Sequence, residues 1–141
     1  MYMQNKWVLI IIPIVGAVAS FALTPVFWPT PAGMAMPSSA QMPLLIGISV
    51  IESIAFGIGL AFLYSLWPFV RGRGTGDWLV YLSAAWLLIS WWPHDNFHRV
   101  MAMNDFSQLI RIEWGFHFTL IVAGVLVASF VWKQFAASRP E

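Results

Sequence analysis

"WWPHDNFHR", Trp91–Arg99, closes an apolar run and sets two histidines, an aspartate and an arginine side by side. The fold depends on whether this stretch is a loop or the continuation of a helix. Outside it the chain is nearly free of charge: of 141 residues, 60% are hydrophobic and 9% are charged, with a mean hydropathy of +0.75. A soluble domain carries about a quarter charged residues, so this composition cannot cover a water-exposed surface. It implies an integral membrane protein whose main partner is the lipid bilayer. The length suits a single transmembrane domain, 1–141. A net charge of +1 with no basic tract argues against nucleic acid as a partner. The absence of cysteine excludes disulfides, thiolate metal sites and cysteine nucleophiles.

Crossing the hydrocarbon as a helix takes about 20 mostly apolar residues. Four segments qualify, at about 7–23, 44–70, 78–98 and 107–132. The third reaches that length only if the quoted stretch is helical, with Pro93 starting or kinking its last part. Between the first two lies "TPVFWPTPAGMAMPSSAQMP", Thr24–Pro43, whose prolines argue against helix. "RGRGTGD", Arg71–Asp77, reads as a Gly-rich turn. The expected fold is therefore an all-α, integral membrane four-helix bundle. Lys6, Arg71, Arg73, Lys133 and Arg139 share one side of it, and Arg99 stands on the other. Positive charge marks the cytoplasmic side, so both termini are expected there, in a bacterial inner (cytoplasmic) membrane. Lys6, a short apolar stretch and "AVA" at Ala17–Ala19 also resemble a cleavable signal peptide. Trp28, Trp91, Trp92 and Trp132 suit interfacial positions near span ends.

Ionisable groups inside a span are costly without partners and usually mark function. Counted from the cytoplasmic ends of their helices, Glu52, His94, His98, Glu113 and His117 share one layer, roughly 22–30 Å up. His94 and His98 are four residues apart, as are Glu113 and His117, so each pair shares a helix face. Two such pairs on neighbouring antiparallel helices resemble the way bundles build metal centres from carboxylates and imidazoles. The expected ligands are His94, His98, Glu113 and His117, with Glu52 as a fifth or bridging group. Asp95 and Arg111 are expected just behind them, Asp95 accepting a ligand's second ring N–H.

Copper is the favoured ion. Met34, Met36, Met42, Met101 and Met103 lie in the outward connections, and thioethers select Cu(I). Iron or zinc also suit mixed His/Glu ligands. A haem held by His94 and His117 is less favoured, because two glutamates share its level. The expected role is copper or iron handling, or a redox step at the outer leaflet. Two alternatives use the same residues: an accessory subunit of a larger membrane complex with a buried polar network, or a haem-binding membrane cytochrome. No phosphate loop, dinucleotide fingerprint or nucleophile elbow is present, and no catalytic residue is assigned.

Overall fold

The computed structural model describes residues 6–34, 36–70, 74–101 and 106–137. These form five helices: α1 (Lys6–Phe27), α2 (Met42–Val70), α3 (Thr75–Ile89), α4 (Trp91–Met101) and α5 (Phe106–Ala137). α1, α2 and α5 are long and apolar enough to cross a membrane. Burial is inverted relative to a soluble protein. The buried set among the described residues includes Ser20, Ser53, Ser83, Ser90, His94 and Asn96, while Ile11, Val18, Leu44, Ile51, Phe118 and Ile121 are exposed. Small and polar residues inside with large apolar ones outside is the arrangement that lipid as solvent favours.

The quoted stretch is helical. α3 and α4 are separated by Ser90, yet helical bonding continues through it: the Ser90 N–H donates to the Trp86 carbonyl and the His94 N–H to the Ser90 carbonyl. The break follows from Pro93, which has no N–H for the Ile89 carbonyl. Together the two helices cover Thr75–Met101, roughly 40 Å of helical rise.

Two boundaries differ from the sequence expectation. α1 runs one turn further, through Pro25. Proline here removes one bond in the final turn, and the turn is held by Trp28 N–H to the Thr24 carbonyl and by Thr24 Oγ1 to the Ser20 carbonyl. After a turn at Pro31–Met34 with Gly33 at φ +80°, Ser38 opens α2 with half a capping box, its N–H bonded to the Gln41 side chain at 3.0 Å. Arg71, Arg73, Met103, Asp105 and Arg139 lie outside the described residues.

α1 packs on α2, α2 on α3, and α3 on α5; α4 touches α2, α3 and α5. At the α1–α2 crossing a Cβ on Gly57 would overlap the Pro13 carbonyl oxygen and come within 2.9 Å of Ala17 N. Tyr81 ties α3 to α2 by donating to the Leu63 carbonyl. Trp86 ties α3 to α5 by donating to Thr119 Oγ1 at 3.1 Å.

Gly57→Val is expected to lower the thermal midpoint in detergent, by the equivalent of about 1–3 kcal/mol. Gly47→Ala, whose added Cβ meets nothing within 4 Å, is expected to stay near wild type. Equal midpoints for the two variants would contradict the close crossing.

Candidate metal centre

α4 is short, polar and wedged among longer helices, and each of its sides meets a different neighbour. His94 and His98, one turn apart, face α5. Their rings stand 4.5 Å apart, and His94 also lies 5.2 Å from the His117 ring and 4.7 Å from Phe116. Trp91 borders the same imidazole edge-on at 6.2 Å.

On α5, Glu113 stands between two imidazoles. One carboxylate oxygen meets His98 Nε2 at 2.5 Å and the other meets His117 Nδ1 at 2.8 Å. His117 Nδ1 also lies 2.9 Å from the Glu113 backbone carbonyl. A carbonyl oxygen only accepts, so Nδ1 carries the proton and Nε2 is left as the ligand nitrogen. A main-chain partner of this kind commonly fixes the tautomer of a metal-binding histidine.

One ligand atom each from His94, His98 and Glu113 lie within 4.8 Å of one another. Donors about 2.0–2.2 Å from a shared ion stand roughly 3.5 Å apart, so small side-chain shifts would close them around one. His94 is 7% exposed, and its Nδ1 is buried with no hydrogen-bond partner. Buried polar atoms are rarely left unsatisfied. The outer edge is open: the side chains of His98 and Glu113 are each 32% exposed and that of His117 is 55% exposed.

The Glu52 side chain stands beside that of Asp95, and among the described residues it is not one of the converging group. Asp95 stands between the two sides, beside Glu52 and within electrostatic reach of His94. Arg111 is exposed and, among the described residues, pairs with neither Asp95 nor Glu113. Met34 and Met36 lie in the connection after α1 and Met42 begins α2, with Met36 69% exposed; no described contact carries them to the histidines.

The third side of α4 was not singled out from sequence. Trp92 donates to Thr24 Oγ1, Asn96 Nδ2 donates to the Trp92 carbonyl, and Arg99 donates to the Trp28 carbonyl. The Trp92 ring lies 4.7 Å from Trp28 and 4.8 Å from Phe56. The spacing of Trp92, Asn96 and Arg99, at i, i+4 and i+7, was the signal for a shared face.

Comparison with known proteins returns no match: no family model, no curated protein and no solved structure aligns with the chain.

His98 and Glu113 are expected to be energetically coupled. In a double-mutant cycle, His98→Ala and Glu113→Gln should depart from additivity by about 0.5–3 kcal/mol in thermal stability. Additive effects would mean that the pair makes no contact in the folded protein.

Proposed function

We propose that the protein is a small integral membrane metal-binding protein, with His94, His98, Glu113 and His117 as the ligands. The observation that carries this reading is the convergence of ligand atoms from His94, His98 and Glu113, and the buried His94 Nδ1 without a hydrogen-bond partner adds to it. Three imidazoles and a carboxylate suit a borderline ion: copper, iron or zinc. Copper is the first choice among them, though the described methionines add no support to it. Iron or zinc fits the same donors.

Binding would displace the proton shared between His98 Nε2 and Glu113, and the ligand imidazoles bind only when neutral, so affinity should fall as the pH is lowered. The open side at His117 leaves room for a further ligand or a reacting molecule, as metal sites that do chemistry require. The role in the cell is then copper or iron handling, or support of a redox step. Packing favours an ion over a haem, because Glu113, His98 and Phe116 crowd the space between and beside His94 and His117.

The topology we propose has four spans, with α3 and α4 forming the third. Both termini lie in the cytoplasm of a bacterial inner membrane and the site lies toward the outer leaflet. Lysine and arginine placement supports that orientation. A second reading has one observation in its favour. Glu113 uses both oxygens on His98 and His117, as a polar lock in an accessory subunit of a larger complex would.

Metal content separates the two readings. Protein purified in mild detergent without chelator, and measured by plasma mass spectrometry, should carry near-stoichiometric copper, iron or zinc. His94→Ala and His117→Ala should each reduce it by at least about tenfold, in line with the loss of a ligand. Metal-free protein that stays metal-free after reconstitution would leave the polar lock as the better account.

A further inference from the structure

Arg99 is a cation that the metal centre does not use. It lies across α4 from His94 and His98. Its Nη2 donates to the Trp28 carbonyl and to Asn96 Oδ1, both at 3.1 Å. Asn96 is 7% exposed and is itself held by its bond to the Trp92 carbonyl at 2.7 Å. The guanidinium is therefore fixed by protein acceptors rather than extended freely toward water, as a snorkelling arginine would be. Its nearest acid in sequence by helical spacing, Asp95, stands beside Glu52 and forms no ion pair with the guanidinium. Among the described residues no carboxylate forms an ion pair with Arg99.

Arg99 also lines a cleft of about 370 Å³ between α1 and α2. Phe21, Leu45 and Ile46 give this cleft apolar walls, and Thr24 and Ser49 add two hydroxyls. A cation without a counter-charge in a membrane-spanning assembly is costly. An anion on the guanidinium would offset that cost through charge-assisted hydrogen bonds, which are among the stronger ones. The walls below it are greasy and open toward the lipid-facing sides of α1 and α2. The complementary ligand has a phosphate at one end and hydrocarbon at the other.

We propose that this cleft is a phospholipid site, with the lipid phosphate on Arg99 and an acyl chain lying between α1 and α2. The site is separate from the metal centre and does not depend on it. α4 serves both: its histidine side faces the ion and its arginine side faces the lipid. The chemistry commits to a phospholipid rather than free phosphate, because most of the lining has nothing to offer an ion.

Native mass spectrometry of the full chain in detergent provides the test. Phosphatidylglycerol, diacylglycerol with the same chains, and inorganic phosphate would be added separately at matched concentrations. Wild type should retain one phosphatidylglycerol, and neither diacylglycerol nor inorganic phosphate. Arg99→Gln should weaken that retention by about tenfold or more, the size of one lost charge-assisted bond. Ser49→Leu, which fills the cleft and leaves the arginine in place, should weaken it as well while keeping wild-type metal content. Equal retention by wild type and both variants would overturn the proposal. So would inorganic phosphate binding as well as the lipid does, which would make this a plain anion site.

Discussion

A polar helix among helices long and apolar enough to cross a membrane has to find a partner for each of its sides, because lipid offers none. The architecture around α4 follows from that constraint. One side carries His94 and His98 and is met by Glu113 and His117. A second carries Asp95 and is met by Glu52. The third carries Trp92, Asn96 and Arg99 and is met by Thr24 and the Trp28 carbonyl. Each long helix that touches this stretch supplies a polar group at the level where α4 needs one. The rest of the assembly is held by small residues and single side-chain bonds, as at Gly57 against Pro13 and at Tyr81 against Leu63.

Pro93 makes this arrangement geometrically accessible. A proline-free helix through Thr75–Met101 would carry the α4 side chains onward in the azimuth of α3. The missing N–H breaks the helix at Ser90, and α4 can then present His94 to α5 and Asp95 to α2. The break also leaves Ser90 fully buried and without a side-chain hydrogen-bond partner among the described residues. Such a junction keeps its shape only while the groups on either side of it are engaged.

Much of this was legible in the sequence, for identifiable reasons. Helical spacing alone placed His94 with His98 and Glu113 with His117. Height along the helices put the two pairs in one layer; the structure brings ligand atoms of His94, His98 and Glu113 within 4.8 Å of one another, with His117 beside them against Glu113. Their use as metal ligands is the proposal. The same count put Glu52 in that layer, but height says nothing about rotation about the helix axis, and Glu52 turned out to face Asp95. Prolines were read as ending α1, whereas Pro25 is absorbed because it sits in the last turn and costs only one bond. Trp92 was read as an interfacial anchor on the strength of its residue type. Its indole also packs against Trp28 and Phe56, a pairing that no local signal announces. Arg99 looked like a loop charge because hydropathy did not show that α4 runs on to Met101.

The central claim is that α4 and α5 close around one ion through three imidazoles and one carboxylate. X-ray absorption spectroscopy on metal-loaded protein tests it most directly. The account predicts a first shell of nitrogen and oxygen at about 2.0–2.2 Å, with the outer-shell scattering of about three imidazoles, diminished by one imidazole in His94→Ala. An ion surrounded by oxygen alone, or a spectrum unchanged by His94→Ala, would contradict it.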